Sequence, residues 1–134
     1  MIVADASAII QSCLSEVDVE ALRTFDLAAP PLLWSEVTSA IHELRWRRAI
    51  SAELAESAVT KLWAVPVRAR RPAGLYEEAW RLANRIGWAK TYDAEYVALA
   101  LLSRCQLLTV DARMGITVGS LVEVIGPNDL SGFN

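Results

Sequence analysis

Two kinds of apolar run alternate along this chain. Short, solid ones (Ile2-Val3-Ala4, Val65-Pro66-Val67, Gln106 to Val110 and Val122 to Ile125) have the length and density of buried strands. The others repeat every three or four residues and predict helices. Ala6 to Ile10 turns towards helix, with Asp5 or Ser7 available as its cap. Glu16 to Leu27 reads as an amphipathic helical segment through Val19, Leu22 and Phe25, and Ala29-Pro30-Pro31 stops it because proline lacks an N–H. Leu33, Val37, Ala40, Ile41 and Leu44 then mark the inner stripe of a helix that ends in Arg45, Arg47 and Arg48. Ser51 caps the next helix, to Trp63, with Leu54, Ala58 and Leu62 inward, so the two form a helical hairpin. Proline places the Val65–Val67 strand at a sheet edge. Leu75 to Ile86 is a further helix, closed by Gly87. Gly115 to Gly119 reads as a loop, Gly126-Pro127 ends the regular structure, and the tail to Asn134 reads as irregular.

One stretch departs from the amphipathic pattern. From Val97 to Leu102 every residue is apolar, covering all sides of a helical wheel, as a helix inside a domain requires. It is too short to cross a membrane, which takes about 20 apolar residues. Thr91 suits its N-cap and Asp93 its first turn, where a carboxylate gains from the helix dipole. Tyr92 and Tyr96 share this helix and are expected to pack in the core. The only histidine, His42, falls on the outer side of its helix, which argues against triad chemistry.

Strands alternating with helices give an α/β fold, a three-layer α/β/α sandwich around a mostly parallel sheet, in a single domain over residues 1–134. A hydrophobic fraction of 54% excludes disorder. The net charge of −3 does not advertise nucleic-acid binding through the whole-molecule field, although an average conceals clustering. Two cysteines so far apart, Cys13 and Cys105, make neither a disulfide framework nor a zinc site. With no secretion signal or membrane span, the expected setting is the cytoplasm.

Ligands of parallel sheets bind at the carboxyl ends of the strands. Asp5 ends the first strand and Asp111 a late one, while Glu36 and Asp93 occupy the opening turns of helices that can face the same crevice. Each acid has a bland explanation as a cap or a dipole partner. Four at corresponding ends of core elements are harder to dismiss. Gathered together they would repel one another, unless a divalent cation compensates. Oxygen-only ligation favours Mg²⁺ or Mn²⁺, which can activate water for an in-line phosphoryl displacement. Arg68, Arg70 and Arg71 form a basic loop, either solvated or holding phosphates, and Lys90 and Arg113 are further candidates for phosphate contact. Trp34, Trp46 and Trp63 exceed what the buried stripes need; they either cap the core edge or offer a surface to a partner. A receiver module or a dehalogenase-like phosphatase would need a second acid beside Asp5, where the chain has Ala6-Ser7.

Val3-Ala4-Asp5-Ala6-Ser7-Ala8, Leu33-Trp34-Ser35-Glu36-Val37, Thr91-Tyr92-Asp93-Ala94-Glu95-Tyr96-Val97-Ala98-Leu99-Ala100 and Leu108-Thr109-Val110-Asp111-Ala112-Arg113 resemble, in order and spacing, the PIN-domain ribonucleases, and among them the VapC-type toxins of toxin–antitoxin pairs. The resemblance implies an endoribonuclease dependent on Mg²⁺ or Mn²⁺, a cognate VapB-type antitoxin, an RNA substrate and a homodimer. It matches Asp5, Glu36 and Asp93 to the three core acids and Asp111 to a more variable fourth. Ser7, Thr91 and Thr109 match polar positions that support the acids or hold water. A tail of the antitoxin is then expected to contact Trp34, Trp46 and Trp63. The alternative is a catalytically silent PIN-like RNA-binding or scaffold module, against which the intact acids count.

Overall fold

The computed structural model describes residues 1–16 and 18–130. Five short strands form one sheet: β1 (Ile2–Ala4), β2 (Leu27–Ala29), β3 (Val67–Ala69), β4 (Gln106–Leu108) and β5 (Val124–Ile125). All neighbours are parallel, in the order β3-β2-β1-β4-β5. Three-residue strands suffice because both faces are covered; Val3, Ala4, Leu27, Ala28, Ala29 and Leu107 are essentially inaccessible. The chain winds outwards from β1 to β2 and β3, then returns to the other side of β1 for β4 and β5. Connections of one hand place α1 (Ala6–Leu14), α2 (Leu32–Trp46) and α3 (Ala52–Ala64) on one face. They place α4 (Leu75–Ile86), α5 (Tyr92–Ser103) and α6 (Ala112–Val118) on the other. α1, α2 and α3 pack on one another, and α5 lies between α4 and strands β1 and β4. That sandwiching explains why α5 is apolar all round: Ala94 to Ala100 are all buried.

The α/β/α reading therefore holds, and the sheet is wholly parallel. The hairpin of α2 and α3, the edge position of β3 and the span of α4 are as expected, with Gly87 closing α4 at a left-handed φ of 90°; β3 itself runs Val67–Ala69 rather than Val65–Val67, so Pro66 precedes the strand and Arg68 lies in it, not in a loop. No helix among the described residues is long and apolar enough to cross a membrane.

Four further local expectations are corrected. The segment from Glu16 to Leu27 is no amphipathic α-helix: Val19–Thr24 is a 3₁₀ turn, and Leu27 opens β2. The spacing of Val19, Leu22 and Phe25 is i, i+3, which suits three residues per turn as well as an α-helix. The run Leu27-Ala28-Ala29, squeezed against two prolines, makes a fully buried strand. Gly115 to Gly119 is no loop, because Asp111 starts α6 by accepting from the N–H groups of Arg113 (2.9 Å) and Met114 (3.4 Å). Met114 and Val118, one turn apart, bury the inner face of that helix. In α3 the innermost residues are Ala55, Ala58 and Leu62, with Leu54 turned outwards. Finally, Tyr92 is 52% exposed, whereas Tyr96 is buried as expected. The end of the tail, residues 131–134, lies outside the described residues.

Gly115 sits inside α6, and a Cβ there would meet Val124 Cγ1 at 3.5 Å, an ordinary contact. Its φ is not in the left-handed region, so glycine contributes only backbone freedom to the unfolded state. Gly115→Ala should raise stability by about 0.5–1 kcal/mol, read from urea denaturation midpoints.

Candidate active site

The strand order reverses at β1, and β1 and β4 feed connections that leave in opposite directions. Such a switch point opens a crevice at the carboxyl ends of the strands. Asp5 stands directly in it. The register pairs Ala4 with Leu108, so the residues that follow, Asp5 and Thr109, come out side by side. The Asp5 N–H donates to Leu108 O at 3.0 Å.

Three donors hold the Asp5 carboxylate. Oδ1 accepts from Ser7 Oγ at 2.7 Å and from the Ala8 N–H at 3.0 Å, which makes Asp5 the N-cap of α1. Oδ2 accepts from Thr109 Oγ1 at 2.5 Å. Each hydroxyl has one proton, so with both given to Asp5 the 3.1 Å approach of Ser7 Oγ to Thr109 Oγ1 is a contact between acceptors. Both oxygens are in turn steadied from the backbone, by the N–H of Val110 on Ser7 (3.2 Å) and the N–H of Asp111 on Thr109 (3.0 Å). A carboxylate offers about four lone-pair sites. The protein fills three of them and leaves one on Oδ2. Burial raises the Asp5 pKa, the three donors counteract it, and Asp93 adds to the rise.

Glu36 comes from the first turns of α2. Its Oε1 accepts from Tyr96 Oη at 2.5 Å, a bond from α5 that spans the crevice. Its pKa is raised, chiefly by burial and then by Asp93 and Asp5, against the lowering effect of the Tyr96 bond. The Tyr96 phenol is itself pushed far above its usual range by burial and by Glu36, so it remains a donor. Asp93, in the first turn of α5, stands at the open mouth of the crevice, and partial burial and Asp111 raise its pKa. Asp111 caps α6 beside it, and the two share the lining of one cleft.

The structure thus brings Asp5, Glu36, Asp93 and Asp111 within electrostatic reach of one another. No lysine or arginine among the described residues forms an ion pair with any of the four. A fifth acid joins them. Glu95 is 8% exposed, and its pKa is raised by burial and by Glu36. Sequence reasoning passed over it, although an acid within a helix apolar on every side was the available signal. Tyr96, expected only to pack in the core, also reaches the site through its phenol.

The other candidates are dispersed. Thr91 occupies the N-cap of α5 but makes no side-chain capping bond. Arg68 turns away to the amino edge of the sheet, bonded to Asp26 at 2.7 Å. Arg70 follows β3 at the carboxyl edge, its N–H on Ala29 O, and Arg71 lies 5.1 Å from the centre of the Tyr76 ring. Lys90 is exposed, and Arg113 lines the cleft beside Asp93 and Asp111. Trp34 packs partly against the core, whereas Trp46 and Trp63 are 75% and 64% exposed.

The donor set is carboxylate oxygen throughout, which fits a hard divalent cation. Among the described residues no three acids, histidines or cysteines stand close enough to chelate one ion directly.

No family model matches the sequence. The chain is 32% identical over 118 residues to VapC ribonuclease Mb0985 of Mycobacterium bovis, covering 87% of this chain and 91% of that one. The same identity and coverage relate it to ribonuclease VapC9 of Mycobacterium tuberculosis. In structure it resembles PAE2754 from Pyrobaculum aerophilum, with a TM-score of 0.67 at 22% identity over 93% of this chain and 87% of the other, a likeness of fold. The chain belongs to the VapC ribonuclease family.

Asp5, Glu36, Asp93 and Glu95 all have pKa values raised above their ordinary 3.8 (Asp) or 4.5 (Glu). Between those values and the raised ones the folded state binds more protons than the unfolded chain, so these acids make stability fall as pH rises. The metal-free protein, kept in chelator, should therefore melt at a higher temperature near about pH 5 than near about pH 8. Asp5→Asn should flatten that dependence and raise the melting temperature at the upper pH.

Proposed function

We propose that this VapC-family chain is a metal-dependent endoribonuclease acting as the toxin of a toxin–antitoxin pair. The observation that carries the reading is the gathering of Asp5, Glu36, Asp93 and Asp111 at the switch point, with no ion pair to any of the four among the described residues. Such a group is poorly stable alone, and a divalent cation relieves it. Asp5, Asp93 and Asp111 are the residues to hold Mg²⁺ or Mn²⁺, directly or through water. The bound cation would make its water acidic and neutralise charge building on a phosphodiester.

The remaining work falls to the chain itself. Asp5 is fixed by its three donors, so its free lone pair on Oδ2 keeps one direction. Glu36 is held through Oε1 by Tyr96, which leaves Oε2 to take a proton from the attacking water. Its raised pKa suits that task, since a base poised nearer neutrality holds the proton better in the transition state. Water attacks phosphorus, a P–O bond to the leaving oxygen breaks, and two RNA fragments result.

The partner follows from the family name: a VapB-type antitoxin. Trp46 and Trp63, exposed on the hairpin of α2 and α3, offer aromatic anchors for an amphipathic tail of that protein. A basic side chain from the same tail would pair with the acids and displace the cation.

Asp5→Asn or Asp93→Asn should lower RNA cleavage at least about 100-fold while far-UV circular dichroism is unchanged. Chelator should abolish wild-type cleavage, and Mg²⁺ or Mn²⁺ should restore it. Undiminished cleavage by both variants would overturn the assignment. For the partner, Trp46→Ala should weaken antitoxin binding in calorimetry without altering the chain's own oligomeric state in ultracentrifugation. The converse result would assign Trp46 to self-association.

A further inference from the structure

The cleft that holds Asp93 and Asp111 has a second wall which the acids do not explain. Trp88, Arg113, Met114 and Thr117 complete it around about 280 Å³. Trp88 directly follows Gly87, and its N–H donates to Ala83 O at 2.9 Å, so the backbone that presents the indole is tied to the end of α4. Trp88 is half-buried, packs against the core and lines the cleft. Met114 is buried beneath, while Arg113 and Thr117 are exposed at the rim. Arg113 belongs to none of the ion pairs among the described residues. The larger hollow at the hairpin tip, about 730 Å³ around Arg45, Trp46 and Arg48, includes none of the four acids.

A rigid aromatic surface, a free guanidinium and an acid pair that would attract a cation therefore adjoin one another. A nucleotide matches that combination, with a flat apolar ring for the indole and a phosphate for the arginine. We propose that Trp88 is the stacking platform for the nucleobase adjoining the scissile phosphodiester, with Arg113 on the neighbouring phosphate. The inference rests on the ribonuclease reading above and names the residues that seat the nucleotide beside the scissile bond. A base can stack on Trp88 only when it is unpaired. Every base has a π-face, so the platform selects for an unpaired strand before it selects for sequence.

The test uses the full-length chain and a single-stranded RNA oligonucleotide, with abasic nucleotides placed in turn on either side of the cleavage point. Trp88→Ala should lower kcat/KM about 10- to 100-fold, with Trp88→Phe retaining most of it. At one position an abasic nucleotide should cost the wild type a similar factor and cost Trp88→Ala nothing further. Additive losses in Trp88→Ala, or no position at which base removal slows the wild type, would overturn the platform while the ribonuclease reading stands. The abasic scan on the wild type depends on no substitution and so holds even if Trp88→Ala misfolds. A wild type that cleaves no RNA under any metal condition would overturn both.

Discussion

Burying a carboxylate at the carboxyl ends of the paired strands β1 and β4 sets the terms for everything around it. An uncompensated buried charge costs several kcal/mol, so Asp5 must be supplied with donors. The supply comes from three places at once: the first turn of α1, the Ser7 hydroxyl and the Thr109 hydroxyl. Thr109 can serve only because β4 pairs with β1 in the register that sets Ala4 opposite Leu108. A slip of one residue would turn the hydroxyl to the other face and leave Asp5 short of a partner. Sheet register and site geometry are therefore one requirement.

The second tie runs across the crevice. Tyr96 is the largest fully buried side chain, and its phenol ends on Glu36. A buried tyrosine hydroxyl needs a partner, and a half-buried carboxylate needs a donor, so α5 and α2 satisfy each other from opposite faces of the sheet. The remaining acids are left in mutual repulsion, with Glu95 adding to it. A fold selected for stability alone would not keep them together, and perturbed acids of this kind cluster at functional sites. Asp93, Asp111 and the wall at Trp88 share one opening, because the end of α4 and the start of α5 converge on it.

Which elements could be read directly depended on how local their causes are. α4 begins and ends where its apolar period does, because Gly87 is a glycine stop that needs no tertiary help. The hairpin of α2 and α3 followed from two apolar stripes and the Ser51 cap. β2 was missed because three apolar residues before two prolines satisfy the end of a helix as well as a buried strand. Only the neighbouring strands β1 and β3, which supply the ladder, decide between them. α6 was missed for the opposite reason: two glycines suggested a loop, while packing against β5 and the Asp111 cap favoured a helix.

Periodicity, capping and residue chemistry are local properties, and they suffice to read the α/β alternation, the buried helix α5 and four acids at the ends of elements from the chain alone. They could not decide which side chains would meet. The placement of Arg68 at the amino edge, of Tyr96 on Glu36, of Glu95 among the acids and of Trp88 beside Asp93 and Asp111 rests on contacts between distant elements. Such contacts are fixed by strand order and register, which brought Asp5 and Thr109, 104 residues apart, within 2.5 Å. Tertiary structure alone decides them, because in parallel sheets every pairing closes through a long crossover that no local pattern records.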